Sequence, residues 1–347
     1  MSNRKTRRIG IRDVARLAGV APTTVSRALT LPSIVSEETR LKIAEAIAST
    51  GYIPNRVAAN LSSNQTKTIG AVIPTLRNSI AADFTEGMAE VLRRAGFQLL
   101  LGSSEFSPEE EEAIVVEFIA RRVDGIYLTG SMHTARTREL LRSNRIPTVE
   151  IATLPDDPID MASGFSNFEA GYRMTRMLAE EGYRRVALLT TFTRDNERQS
   201  ERLAGYRVAV AEFGLDPDPR LFAEVEMSLK SGGEALAHLL DVRPDIDAIF
   251  CTGDIVAAGV LFECQRRGID VPRQIAIAGF EGLDISENVV PPLTTVRIPR
   301  KQIGMKAAEM LLDRIAGKPP SQPKMDLGFE IVRRASTIRM AGAAEDP

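Results

Sequence analysis

The sequence predicts two folds in one chain, a small all-α head and a larger α/β body whose two lobes are built on parallel sheets. Three observations predict it. At 347 residues the chain is long enough for two or three domains with sizeable cores. Up to Gly51 the apolar residues recur at helical spacing, broken by Gly and Pro at turn positions. From residue 68 onward, short apolar runs about 25 residues apart alternate with amphipathic helices, which is the pattern of βαβ units.

Composition narrows the class before any motif is considered. Apolar residues make up 44% and charged residues 26%, as in an ordinary soluble globular protein. No apolar run is long enough to span a membrane, and the basic start "MSNRKTRRIG" has no apolar stretch behind it to make a secretory signal. Cys251 and Cys264 are the only cysteines and lie in apolar contexts, so the expected compartment is a reducing cytoplasm. The net charge of −2 hides a division: residues 1–67 hold eleven Lys/Arg against four Asp/Glu, a net +7, and the remainder carries −9. A basic head on an acidic body suits a head that meets a polyanion, although charge alone is equally compatible with an inert basic tail.

The pattern inside the head decides between these. In "IRDVARLAGVAPTTVSRALT", Ile11, Val14, Ala15, Leu17 and Ala18 form one apolar stripe, Gly19 permits a tight turn, and Pro22 suits the first position of a second helix. Val25, Ala28 and Leu29 face inward on that helix, which leaves Thr23, Thr24, Ser26 and Arg27 mostly outward. A third helix is capped by Ser36, has Glu37 and Glu38 at its positive end and Leu41, Ala44 and Ile47 as its stripe, and ends at Gly51. Three short helices with hydroxyls and an arginine outward on the second describe a helix-turn-helix DNA-binding domain that reads the major groove. Thr23 and Arg27 are the candidates for base edges, Arg27 toward guanine, and Thr24 and Ser26 for phosphates. The alternative is a small structural helical hairpin.

"IRDVARLAGVAPTTVSRAL", "VSEETRLKI" and "GYIPNRVAANL" together resemble the N-terminal domain of the lactose-repressor (LacI/GalR) family of bacterial transcription regulators. Farther along, "SGFSNFEAGYRMT", "DAIFCTGDIVAAGVLFECQRRG", "AIAGFEGLDI" and "DLGFEIV" look like the gluconate-operon repressors of that family. The resemblance implies a hinge after "YIPN" that becomes helical when two subunits pair over an operator, with Leu61 entering the minor groove and Asn55, Arg56, Val57 and Ala58 beside it. That gives residues 1–54 as DNA-binding domain, 55–67 as hinge and linker, and 68–343 as effector-binding and dimerisation domain. Ala21 and Pro22 depart from the polar residues common at those positions in the family, so the operator sequence does not carry over.

For the body, the resemblance implies the two-lobed periplasmic-binding-protein-like fold, crossed three times by the chain, near 163–167, 292–297 and 322–328. Lobe 1 then covers about 68–163 and 297–325, and lobe 2 about 164–294 and 326–343. "VDGIYLTG" and "IDAIFCTG" read as one element used twice, in keeping with two similar lobes. Ligands in such folds lie at the carboxyl ends of the strands. Segments expected there include Pro74 to Ser79, Thr129 to Ser131, Thr191 to Arg202, Thr252 to Asp254 and Phe280 to Glu281, and the candidate effector contacts are Ser79, Thr129, Glu150, Arg202, Asp254 and Glu281. Arg202, taken to begin a helix, matches the family's effector-holding arginine, and its paired N–H donors suit a carboxylate or vicinal hydroxyls; the alternative is a salt bridge across the cleft. Asp254 stands equally as a helix cap or a ligand contact.

No nucleotide-binding glycine motif or serine-hydrolase motif occurs, and His133 and His238 are isolated in sequence, so no catalytic residue, metal site or cofactor is assigned. The acidic run of "SPEEEEAIVVEFIARR" is a solvated helix start, with Ser107 as its cap. "GYRMTRMLAEEG" is an amphipathic helix, core or dimer face. The expected partners are palindromic operator DNA, a second copy of the chain as homodimer, and a small sugar acid such as gluconate. A ligand-co-repressed or activating regulator is the second reading, and a solute-binding protein or an α/β enzyme lies further off.

Overall fold

The computed structural model describes residues 9–53, 65–76, 79–320 and 322–338, and for Ser79 and Ile80 the backbone alone. Asn55, Arg56, Val57, Ala58 and Leu61 lie outside the described residues, as does the side chain of Ser79. By internal contacts the chain divides into two units, Met1–Thr66 and Lys67–Pro347.

The first unit holds α1 (Ile11–Ala18), α2 (Pro22–Thr30) and α3 (Glu37–Thr50), with a single 3-10 turn between the last two. Gly19 at φ 68° and Gly51 at φ 64° end α1 and α3 in left-handed backbone, which costs glycine least. Pro22 takes the first position of α2, and the Ser36 hydroxyl accepts the Thr39 N–H at the start of α3. The core is small: Val14, Ala15, Val25, Ile43 and Ala46. Leu17, Leu29 and Leu41, expected inside, are 59%, 38% and 66% exposed. For Leu41 the reason is rotation. α3 turns Ile43, Ala46 and Ile47 inward, so Leu41 and Ala44 fall on its outer side.

The second unit opens with β1 (Thr68–Ile73), α4 (Ser79–Arg94), β2 (Gln98–Ser103), α5 (Pro108–Ala120), β3 (Gly125–Thr129), α6 (Ala135–Ser143), β4 (Thr148–Ile151) and β5 (Met161–Gly164). The chain then crosses over and builds α7 (Asn167–Glu180), β6 (Val186–Thr190), α8 (Glu197–Glu212), β7 (Phe222–Glu224), α9 (Leu229–Val242) and β8 (Ala248–Cys251). This lobe continues through α10 (Asp254–Arg267), β9 (Ala276–Glu281), α11 (Ile285–Asn288) and β10 (Thr294–Arg297). After a return come α12 (Arg300–Ile315) and β11 (Lys324–Asp326), and a last crossing leads to β12 (Glu330–Val332).

Two six-stranded sheets result, ordered β2-β1-β3-β4-β5-β11 and β7-β6-β8-β9-β10-β12. All described pairings are parallel except that of β10 with β12. The repeated order brings β3 and β8, the strands of the two look-alike sequence runs, to equivalent places. One boundary differs from expectation. β10 stays in register with β9 as far as Arg297 opposite Glu281, so the second crossing is at Ile298–Pro299 rather than 292–297. The β-branched run Thr294, Thr295, Val296 is buried on both faces, and that burial keeps it in the sheet.

Helix packing sets the position of everything that faces the cleft. Gly171 and Gly205 bring α7 and α8 together until backbone meets backbone: a Cβ on Gly171 would strike the Arg202 carbonyl, and one on Gly205 the Phe168 carbonyl. Met174 and Leu178 on α7 are fully buried beside this contact, which makes the methionine helix core. Replacing Gly171 with alanine should therefore destabilise the protein by about 1–3 kcal/mol through overpacking. Urea unfolding would measure it, and an unchanged midpoint would show that the two backbones have room to separate.

Candidate functional site

A cavity of about 520 Å³ lies between the carboxyl ends of the two sheets, within the range of small-molecule sites. Its lining comes from strand ends in both lobes: Ile73 and Thr75 after β1, Thr129 at the end of β3, Ala152 after β4, and Glu281 at the end of β9. Phe84, Phe165, Phe192 and Met227 give it apolar walls, and Asn196, Arg198, Gln199 and Arg202 present the start of α8 to it. The mouth is bridged. The Glu197 carboxylate of one lobe accepts the Ser131 N–H of the other at 2.9 Å. Gly130, at φ 92°, allows this approach, since a Cβ there would meet the Arg198 guanidinium and the Glu197 carboxylate.

Arg202 is 6% exposed and held on three sides. Its Nε donates to Asn167 Oδ1 at 3.0 Å, its Nη1 donates to the Thr252 carbonyl at 3.2 Å, and the Phe280 ring lies under the guanidinium at 3.7 Å. Asn167 also donates to the Ala152 carbonyl of the other lobe at 2.9 Å, so it ties Arg202 across the cleft floor. Arg202 does not begin its helix: α8 starts at Glu197, and the residues at its open end are Asn196 to Gln199.

Glu281 is 3% exposed and sits at φ 107°, a backbone conformation that non-glycine residues rarely adopt. Arg300 holds it there by donating to the Glu281 carbonyl, while Asp83 receives the Arg300 Nε–H at 2.7 Å. Burial and the neighbouring Asp254 push the Glu281 carboxyl up from its usual range, against the pull of Arg202. Burial in turn lowers Arg202, against the charge of Glu281.

Two expected effector contacts do not reach the cavity. Asp254 is fully buried and accepts from Leu283 N–H at 2.7 Å and Thr295 Oγ at 2.6 Å, so it braces the turn after β9. Nor does its side chain cap α10. Burial raises it to about 6 in spite of those bonds. Glu150 is also fully buried, accepting from Ile159 N–H at 2.7 Å and meeting His133 Nε2 at 3.2 Å. His133 is not isolated in space, because its Nδ1 lies 2.5 Å from Glu111. The acidic start of α5 is thus only partly solvated: Glu111 is 6% exposed. Among the described residues no group of side chains is placed to hold a metal, and no helix is long and apolar enough to cross a membrane.

The cavity holds the expected Glu281 together with three groups that sequence reasoning did not single out, Tyr127, Asn196 and Arg198. The Tyr127 hydroxyl, Asn196 Oδ1, Arg198 Nη1 and Glu281 Oε2 are buried without a hydrogen-bond partner, and all four residues line the cavity. Arg194, Arg198 and Arg202 recur every fourth residue. That spacing puts the last two on one helix face and was the available signal.

In the head, Thr23, Ser26 and Arg27 are exposed along α2 and Thr24 is half-buried. Thr23, Ser26 and Arg27 thus stand on the outer side of the second helix, and Thr24 turns partly inward.

A three-helix head with an outward second helix, joined to a body with a polar cavity between two parallel sheets, is the build of a ligand-responsive bacterial transcription regulator. The chain belongs to the lacI family of bacterial regulatory proteins: that family's profile matches residues 10–55, and the periplasmic binding protein-like domain matches residues 175–337. The HTH-type transcriptional regulator GntR of Escherichia coli (strain K12) is 38% identical over 327 residues, 94% of this chain and 98% of that one. IdnR of the same strain, also an HTH-type transcriptional regulator, is 35% identical over 330 residues, with the same coverage of 94% and 98%. The crystal structure of a LacI-family transcriptional regulator from Silicibacter pomeroyi matches with a TM-score of 0.88 at 30% identity, covering 95% of this chain and 100% of that one. The protein is a transcription regulator and not an enzyme, and its family binds operator DNA and small-molecule effectors.

The histidine cluster has its own consequence. Burial works to strip His133 of its proton, but the bonds and charges of Glu111 and Glu150 outweigh it and raise the imidazole to about 9. A raised folded value stabilises fully below the ordinary histidine range near 6.5 and is lost as pH rises through about 9. The stability advantage of wild type over His133→Gln should therefore shrink between those limits. Urea midpoints at several pH values test it, and a constant gap would mean that the imidazole carries no buried proton.

Proposed function

We propose that the protein represses a sugar-acid utilisation operon of the gluconate type, bound as a homodimer to a palindromic operator in the cytoplasm and released when the acid fills the interlobe cavity. The observation that carries the ligand class is the cavity itself. Apolar walls enclose a buried arginine, Arg202, a half-buried one, Arg198, a buried carboxyl and several polar atoms in want of partners. A polyhydroxylated acid supplies both an anion and hydroxyls, while a neutral apolar metabolite leaves those atoms unsatisfied. The resemblance to gluconate-operon repressors and the similarity to the GntR and IdnR regulators favour the same class.

Release follows from linkage. An effector that favours one lobe arrangement shifts the population away from the DNA-competent one by its differential affinity. On the DNA side Arg27 reads bases with Thr23, and Thr24 and Ser26 hold phosphates. Leu61, with Asn55, Arg56, Val57 and Ala58 around it, is the minor-groove wedge that the family resemblance implies. Dimerisation follows because one such leucine is half a wedge, and palindromic half-sites mirror a two-fold protein.

Fluorescence anisotropy on a labelled promoter fragment from beside the gene, at fixed salt, tests this. D-gluconate should weaken binding and glucose should not. Binding strengthened by gluconate would make the acid a co-repressor, and binding that no sugar acid alters would remove the ligand class. Arg27→Ala should cost about 1–3 kcal/mol of operator affinity and relax the preference at one base pair; equal losses on operator and random DNA would reduce Arg27 to a phosphate contact.

A further inference from the structure

We propose that the acid group of the effector is held by Arg198 at the N-terminus of α8, and that Arg202, one turn further along the same helix face, reads its hydroxyls together with Glu281. This assignment rests on the sugar-acid reading of the cavity.

Arg202 is poorly placed to take a carboxylate alone. Its guanidinium already donates to Asn167 and Thr252 and stacks on Phe280. Its nearest acidic neighbour in the cavity is Glu281, whose Oε2 is buried with no partner. A ligand carboxylate there would face this oxygen, whereas a hydroxyl donates to it and accepts from the arginine.

Arg198 is less committed than Arg202. Arg198 Nη1 is a buried donor without a hydrogen-bond partner, and a guanidinium nitrogen can only donate. The nearest carboxylate, Glu197, lies 3.8 Å from it, beyond hydrogen-bond length, and its Oε1 is committed to Ser131 N–H. α8 is sixteen residues long and begins here, with its positive end toward the cavity. Asn196, 6% exposed, stands at the cap position but does not cap the helix, and its Oδ1 has no partner. Its amide can turn either end toward a bound group. Unpartnered donor and helix terminus converge on an anion, and the free Asn196 Oδ1 beside them accepts from a hydroxyl of the same ligand.

The experiment is isothermal titration of the full-length protein and Arg198→Met with three probes: D-gluconate, the neutral amide D-gluconamide, and sulfate. Arg198→Met should bind gluconate about 10- to 100-fold more weakly, the loss of one charge-assisted contact, with gluconamide affinity within about twofold of wild type. Glu281→Leu should weaken both sugars alike. Arg198→Lys should recover part of the gluconate affinity, which a merely misfolded cleft would not allow. Wild-type gluconate affinity in Arg198→Met, or an equal loss for the amide, would overturn the assignment. If wild type binds no sugar acid, the proposed effector class falls. Sulfate then decides the subsite separately: binding abolished by Arg198→Met supports it, and binding that is absent or indifferent to Arg198 ends it.

Discussion

The backbone contact between α7 and α8 at Gly171 and Gly205 is the constraint on which the cleft depends. It fixes the axis of α8, and hence the points from which Arg198 and Arg202 reach the cavity. It also seats Asn167, the first residue of α7, where one amide can bond the Ala152 carbonyl of one lobe and the Arg202 guanidinium of the other. The chain enters the second lobe through this segment, so the first crossing and the ligand floor are one piece of structure. The same glycine device joins α4 to α12, where Gly87 faces Lys301 and Gly304 faces Phe84. Both lobes therefore position cleft-facing ends by direct backbone packing, which side-chain repacking cannot easily adjust.

The second layer is electrostatic. Buried charge in a low-dielectric setting has to be paired or hydrogen-bonded, and here nearly every group is. Asp254 spends itself on the turn after β9, Glu150 on His133 and Ile159, and Arg300 on Asp83 and the strained Glu281 peptide. Against that background, the unpartnered atoms of Tyr127, Asn196, Arg198 and Glu281 stand out because they gather in one place. Strain at Glu281 belongs with them. A non-glycine residue at φ 107° is held there by its surroundings, and it aims a carboxyl at the cavity.

Much of this was legible in the sequence. Gly19, Gly51, Pro22, Ser36 and Ser107 carry local geometry in their own chemistry, and each performs the turn or cap its position suggests. The apolar runs became strands because alternate helices cover both faces of each sheet. The failures share a cause: they depend on partners distant in sequence. Leu41 looks like a core residue until the rotation of α3 is known. Asp254 and Glu150 look like ligand groups until Thr295, Leu283, His133 and Ile159 are seen to satisfy them. Arg202 looks like a helix start until its fourth-residue companion Arg198 is seen to share a helix that begins at Glu197.

The bridge at the cleft mouth has a further consequence through its chemical type. Across the mouth Glu197 meets a backbone N–H of Ser131, a hydrogen bond that mobile ions do little to loosen at close range. The head, by contrast, carries its +7 toward a polyanion, and every phosphate it neutralises releases counterions and steepens the salt dependence of binding. Ionic strength thus acts on the head's hold on a polyanion and hardly at all on the hydrogen bond that closes the cleft mouth.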